Sequence, residues 1–237
     1  MQEPAIRIIQ GTDAPYPAAT VSVVIDVIRA FTVAQIAFLR GVREIYLVNT
    51  TDEAFAYKKL HPTFLLAGEI AGLPIEGFDL DNSPQRFSAA DLKGKTLIQK
   101  TSNGVKGTLL ALAADTVLVT GFSNARNTAL HARALVAGQA NATVNIVATH
   151  PIDDDDLACA EYIRDLVLNE NRVTAGDVGR RILAARSAQK FYGPGKPTAL
   201  DARDPEHCAR EMPCNFVMQV DKSVTPPRVL SQPLTGF

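Results

Sequence analysis

Apolar residues gather in short runs, separated by polar and amphipathic stretches. Val21–Val27 (VSVVIDV) is the clearest run, β-branched and uncharged until Asp26. Ala5–Ile9, Glu44–Val48, Phe64–Ala67, Thr96–Gln99, Thr116–Val119, Thr143–Thr149 and Phe216–Val220 read as further strands. The runs are continuous rather than alternating, which predicts strands covered on both faces. Helical stretches fill the intervals. Thr32–Arg40 stops at Gly41, a residue suited to a helix C-terminus. Thr51, Asp52 and Glu53 cap and charge the start of a helix running to Leu60. Ser83-Pro84 fits an N-cap followed by Pro at the first helical position. Gly104–Ala113, Asn124–Ala137, Asp154–Leu168 and Thr174–Ala188 complete the helices. This alternation predicts an α/β protein, a three-layer α/β/α arrangement with a largely parallel or mixed central sheet. No linker is visible, so residues 1–237 read as one domain. The segment Pro226–Pro233 reads as a C-terminal tail or edge strand.

Composition narrows the class. Of 237 residues, 46% are hydrophobic, enough to offset the entropy of folding and exclude general disorder. Lys and Arg total 24 against 25 Asp and Glu, so no basic surplus exists for non-specific nucleic-acid binding. Three cysteines, Cys159, Cys208 and Cys214, are an odd number with no metal-type pairing, which favours free thiols in a reducing compartment. No apolar run approaches the ~20 residues that span a bilayer. Met1-Gln2-Glu3-Pro4 lacks the features of a signal peptide. A cytoplasmic protein without a membrane partner is expected.

Ligands of open α/β sheets bind beyond the carboxyl ends of the strands. Five strand ends carry polar chemistry: Asp26 to Thr32; Glu69 and the long loop Ile70–Ser83; Lys100 to Gly104; Thr120 to Asn124; and His150 with Asp153–Asp156. Thr101–Gly104 and Gly121–Asn124 offer hydroxyls and N–H groups to an anion such as phosphate. Arg29 adds a bidentate contact to phosphate or sulfonate. Carboxylates with at most one His nearby favour Mg²⁺ over Zn²⁺. Together these point to phosphoryl chemistry. Plainer readings stand beside each residue. Asp26 and Thr101 can cap helices, Arg29 can form a surface ion pair, and Asn82 can form an Asx turn. Asp153–Asp156 can be a solvated helix start favoured by the dipole. The P-loop, GxGxxG and GxSxG motifs are absent.

The blocks VVIDVIRAFT (Val23–Thr32), GEIAGLPIEGFDLDNSP (Gly68–Pro84), KTSNGVKG (Lys100–Gly107), TGFSNA (Thr120–Ala125) and DDLACAEYI (Asp155–Ile163) carry a resemblance. In this order they resemble the Mg²⁺-dependent 2-phosphosulfolactate phosphatases. The resemblance implies an α/β/α fold, a Mg²⁺ cofactor, and hydrolysis of 2-phospho-3-sulfolactate to 3-sulfolactate and phosphate. Its best-known setting is coenzyme M biosynthesis. Asp26, Arg29, Glu69, Asn82, Ser83, Thr101, Ser102, Asn103 and Ser123 fall on motif positions. Asp155 and Asp156 match an acidic pair. The implied roles are catalysis by Asp26, Glu69 and Arg29, and metal binding by Asp26, Glu69 and one of Asp155 or Asp156. Arg29, Asn82, Ser83, Thr101, Ser102, Asn103 and Ser123 would bind substrate. Phe31, Asp81 and Asn215 depart from the pattern, and a pocket altered at Phe31 would admit a different ester. The alternatives are a phosphatase for another small phosphorylated acid and a non-catalytic sensor of a small anionic metabolite. Homo-oligomerisation is compatible with either.

Overall fold

The computed structural model describes residues 3–234; Met1 and Gln2 of the N-terminal segment above lie outside it, as do residues 235–237. In chain order the elements begin β1 (Ala5–Gln10), β2 (Val21–Ile25), α1 (Ala30–Leu39), β3 (Glu44–Leu47), α2 (Thr51–Leu60) and β4 (Leu65–Ile70). They continue β5 (Leu73–Pro74), α3 (Pro84–Ala89), β6 (Thr96–Lys100), α4 (Gly104–Leu110), β7 (Thr116–Thr120), α5 (Ala125–Val136) and β8 (Thr143–Ala148). The last are α6 (Asp154–Leu168), α7 (Ala175–Ala184), α8 (Arg186–Gln189), α9 (Asp204–Cys208), β9 (Phe216–Asp221) and β10 (Arg228–Pro233).

Successive side chains of a strand point to opposite faces. In β2, Val24 joins an apolar cluster with α1 and α4, while Val23 and Ile25 join one with α5, α6 and α7. In β6, Leu97 faces α1 and Ile98 packs with Ala54 of α2. Helices therefore cover both faces, giving the three layers. Helix α1 is buried along nine of its ten residues. A helix apolar all round belongs in a core, and Phe31 is fully enclosed there. Phe31 lies in this core and not on the cleft described below, so the expectation of a pocket altered at Phe31 is not met.

One ten-stranded sheet runs in the order β1-β8-β2-β7-β9-β10-β3-β6-β4-β5. Strands β1, β8, β2 and β7 are mutually parallel, as are β3, β6 and β4. Between the groups, β10 is antiparallel to both β9 and β3, and β9 is antiparallel to β7. The two parallel groups thus run in opposite senses along the ladder. Five strand steps separate β2 from β6. At about 20–25° of twist per step the accumulated rotation is about 100–125°, which swings the carboxyl ends of the two groups toward one another. One apolar cluster containing Val24 and Val119 from the first group and Ala67 and Leu97 from the second fills the space between them.

Several boundaries depart from the sequence reading. The Pro-bounded segment expected to be a tail or edge strand contributes β10, an interior strand joining the two groups. Glu69 is not beyond a strand but inside β4, and a tight turn at Ala71-Gly72 leads straight into β5. The helix expected over Thr174–Ala188 breaks at Ala185, whose backbone is extended, and resumes as α8. Among the described residues, no helix is long and apolar enough to cross a membrane.

Candidate active site

A cleft of about 230 Å³ opens where the carboxyl ends of the two strand groups meet. Asp26, Ile28 and Arg29 reach it from the end of β2, and Glu69, Ala71 and Gly72 from the β4–β5 hairpin. Asn82, Ser102, Asn103, His150, Ser187 and Lys190 complete its lining.

Asp26 sits at its base. Its Oδ1 accepts the Ala30 N–H at 2.9 Å, fixing it at the start of α1. The backbone at Gly104 presses close: a Cβ there would lie 2.7 Å from Asp26 Oδ2 and 2.9 Å from Ala30 Cβ. Only glycine lets α4 approach α1 so nearly. Burial, reinforced by the charges of Glu69 and Asp155, pushes the Asp26 carboxyl up to about 7, against the opposing pull of the Ala30 and Gly104 N–H groups.

Glu69 is held from three sides. Its carboxylate accepts the Gly72 N–H at 2.5 Å, the Ser102 N–H at 2.5 Å and the Ser102 hydroxyl at 3.1 Å. The Ser102 hydroxyl also accepts the Ala71 N–H at 2.9 Å. Gly68, with φ +151°, lets β4 pass: a Cβ there would lie 1.9 Å from the Lys100 carbonyl oxygen. The Ser102 N–H that was to cradle phosphate is thereby occupied by Glu69, while Asn103 makes no capping bond and borders the cleft.

Arg29 is 4% exposed and not a surface residue. Its Nη1 donates to Asp204 Oδ2 at 2.9 Å and its Nη2 to the Gly72 carbonyl at 2.8 Å. Its guanidinium lies 5.0 Å from the centroid of the Phe191 ring. The other oxygen of Asp204 accepts the Ser83 hydroxyl at 2.7 Å and the Gln85 N–H at 3.1 Å. Ser83 caps α3 through the Arg86 N–H, as its Ser-Pro sequence predicts.

The acidic run at the start of α6 divides by function. Asp154 is the partly exposed member and pairs with Arg181. The other three are buried, which corrects the picture of a solvated helix start. Asp153 accepts the Asp154, Arg186 and Ser187 N–H groups, and these bonds hold its carboxyl below the usual range against the opposing effect of burial. Asp156 accepts the Val27 N–H at 2.7 Å, the His150 N–H at 2.9 Å and the Thr149 hydroxyl at 3.1 Å. Burial and the charges of Asp155 and Asp26 still raise it well above the carboxylate range. Asp155 is 1% exposed and its Oδ1 has no hydrogen-bond partner. Burial raises its carboxyl, the Ser187 hydroxyl opposes this, and the charge of Asp153 adds to it.

The cleft therefore gathers Asp26, Arg29, Glu69, Asn82, Ser102 and Asn103 from among the residues singled out in the sequence. Asp155 stands behind Asp26. Ser83 and Thr101 lie off the cleft as helix caps, Thr101 through the Val105 N–H. Ser123 borders a separate pocket with Asn127, Met212 and Cys214. Asp156 is absorbed by its backbone donors. Sequence reasoning missed Ser187, Lys190 and Asp204, which no spacing or motif marks. His150 does reach the cleft. Its Nδ1 accepts the Asp153 N–H at 3.1 Å, so the neutral ring carries its proton on Nε2.

Among the described residues, no three His, Cys, Asp or Glu side chains form a ready-made metal cage. Mg²⁺ does not require one, since it is usually held by one or two carboxylates with water and substrate oxygens. The unpartnered Asp155 Oδ1, and the mutual repulsion of Asp26, Glu69 and Asp155 without a compensating cation, fit such a site.

Fold and cleft together define an α/β protein with a carboxylate-lined cleft at its strand ends. Residues 9–195 match the family described as 2-phosphosulpholactate phosphatase, and the chain belongs to that family. A Bacillus subtilis protein named "Probable 2-phosphosulfolactate phosphatase" is 47% identical over 224 residues, 94% of this chain and 97% of its own. Proteins of the same name from Deinococcus radiodurans and Carboxydothermus hydrogenoformans are 35% and 33% identical, over 73% and 79% of this chain and 72% and 81% of their own.

Proposed function

We propose that the protein is a phosphoric monoester hydrolase that converts 2-phospho-3-sulfolactate to 3-sulfolactate and inorganic phosphate, with Mg²⁺ as cofactor. The reading extends to a cytoplasmic role in coenzyme M biosynthesis. Family membership supports the reaction, and one observation supports its location: the buried carboxylate of Asp26, unneutralised, at the base of a cleft that also holds Arg29. Asp26 and Asp155 are the residues with lone pairs left to hold the ion, with Glu69 beside them. When bound, Mg²⁺ supplies charge neutralisation of the phosphate oxygens and of the leaving alkoxide.

The chain's own groups do the rest. Asp26, raised to about 7, is poised to exchange a proton near neutral pH. Arg29 cannot swing, since Asp204, Gly72 and Phe191 fix it. It presents a fixed positive edge toward the ester, and no reorganisation is needed when charge develops. The Asn103 amide and the His150 ring border the same cleft and offer further N–H donors. The hairpin turn at Ala71-Gly72, bonded to Glu69, Ser102 and Arg29, forms one wall of the cleft.

Phosphate release from 2-phosphosulfolactate, with Mg²⁺ and after chelation, tests the reading alongside a panel of other phosphate esters. Turnover that is lost on chelation, and is highest in kcat/KM on 2-phosphosulfolactate, is the expected result. Unchanged turnover in correctly folded Asp26→Asn and Glu69→Gln together would overturn it.

A further inference from the structure

The cleft has carboxylates at its base and two cationic side chains at its sides, and the two cations differ. Arg29 is committed to Asp204 and the Gly72 carbonyl. Lys190 borders the same cleft, yet its ammonium makes no ion pair and no hydrogen bond among the described residues. Its nearest aromatic neighbour is the Phe191 ring, 5.7 Å away. Beside it, one helical turn earlier, Ser187 is 4% exposed and borders the cleft, with its hydroxyl turned to the Asp155 carboxyl. Residues three apart on a helix share a face, so Ser187 and Lys190 address the same volume.

Their placement is not an accident of a mobile loop. The chain breaks at Ala185, and the buried carboxylate of Asp153 then takes the Arg186 N–H at 3.1 Å and the Ser187 N–H at 2.7 Å. Opposite, Gly72 has φ +83°, and a Cβ there would stand 3.4 Å from Lys190 Nζ. The hairpin turn thus leaves the ammonium room on the side facing the cleft.

An exposed ammonium without a counter-ion, at the edge of a cleft that takes an anionic ester, is placed to hold an anionic group of that ester. The phosphate of the ester already has its place at Asp26 and Arg29, with the metal. The proposed substrate carries two further anionic groups, a carboxylate and a sulfonate. We infer that Lys190 is the specificity-determining contact for this second anionic group. This rests on the phosphate-ester reading given above. A lysine suits the task, being a compact charge with three donors on a flexible stem, able to follow a tetrahedral sulfonate or a planar carboxylate.

The test compares wild type, Lys190→Ala and Lys190→Arg on 2-phosphosulfolactate, 2-phospholactate and p-nitrophenyl phosphate, with Mg²⁺. Binding of 3-sulfolactate is measured separately by calorimetry. Loss of a charge-assisted bond predicts a rise in KM for 2-phosphosulfolactate of about 10–100-fold in Lys190→Ala, with kcat falling far less. The loss of kcat/KM should exceed that on p-nitrophenyl phosphate by about tenfold or more, and Lys190→Arg should recover most of it. A selective loss shared by 2-phospholactate assigns the contact to the carboxylate; one confined to 2-phosphosulfolactate assigns it to the sulfonate. Equal losses on all three esters, or none, overturn the inference. Should the wild type hydrolyse none of the esters, the phosphatase reading falls, and calorimetry alone decides the role of Lys190. Sulfolactate binding weakened tenfold or more in Lys190→Ala then sustains it, and equal or absent binding overturns it.

Discussion

Two pockets of equal size, about 230 Å³ each, lie at the ends of neighbouring strands, one beside Asp26 after β2 and one beside Ser123 after β7. Both are lined by small polar residues of the kind that sequence reasoning associates with anions. Their electrostatics differ. Around Ser123 the groups are neutral or neutralised. Asn127 donates to the Cys214 carbonyl, the Cys214 thiol donates to Asn124, and Arg126 pairs with Glu211. What is left over there is uncharged: the Ser123 hydroxyl and the Gln35 carbonyl. Around Asp26 three carboxylates crowd together and repel. A neutral orphan costs little beyond a lost hydrogen bond, whereas a buried uncompensated charge costs several times more. Uncompensated charge, not polarity, is what separates a site from a crevice here.

The sharpest way to break the contrast is to remove that charge. Asp26→Asn keeps the shape and the Ala30 contact but deletes the proton-exchanging, cation-binding carboxylate. Turnover should fall by about 10²–10⁴-fold, measured as phosphate release with Mg²⁺. A loss below tenfold would show that the crowding has no catalytic purpose.

Next in size is the scaffold of the cleft. Asp204 and Arg29 form an ion pair that is 0% and 4% exposed. Asp204→Ala leaves a buried guanidinium without its partner, which costs about 3–5 kcal/mol. For a chain of this length that lowers Tm by about 6–20 °C in calorimetry. A drop under 2 °C would mean that Arg29 finds another partner.

The pH dependence of the metal-free protein is a third lever. The folded Asp26 carboxyl titrates near 7, well above the usual 3.8. A group raised in the folded state contributes stability that is fully present below the unfolded value and is lost as pH rises through the folded one. Relative to wild type, Asp26→Asn should therefore be about as stable at pH 4 and more stable at pH 8, by at most about 4 kcal/mol. Excess Mg²⁺ should shrink that gain. A difference independent of pH between 4 and 8, read as Tm or urea midpoint, would remove the electrostatic argument.

Much of this was legible in the chain. The strands β2, β7 and β8 appear as uncharged β-branched runs because both of their faces are covered. Asp26, Glu69, Asn82, Ser102 and Asn103 are visible because they follow or end such runs. The rest escaped for physical reasons. β10 (RVLSQP) has a single fully buried residue, Val229, so no apolar pattern announces an interior strand. The opposed directions of the two strand groups follow from where β9 and β10 insert, which no local pattern encodes. Asp204 meets Arg29 across 175 residues, and Asp153 places Ser187 across 34. Long-range pairings of this kind leave no periodic trace. Ser123 was grouped with the site because polar residues after strands look alike until their partners are known.

The smallest expected effect bears on the control side of the comparison. Cys214 is a half-buried free thiol surrounded by the amides of Gln35, Asn124 and Asn127. A hydroxyl can make the same bonds as the thiol, and the residue does not border the Asp26 cleft. Cys214→Ser should leave kcat/KM within about twofold and stability within about 1 kcal/mol, the ordinary range for a substitution that creates neither a cavity nor an unpaired charge. The pocket beside it is neutral, so it has no charge to lose. A tenfold loss of turnover in a variant of unchanged Tm would mean that the two pockets are coupled through α1, whose residues Ala30 and Gln35 touch one each. The contrast drawn between them would then have to give way to a single site running along the first half of that helix.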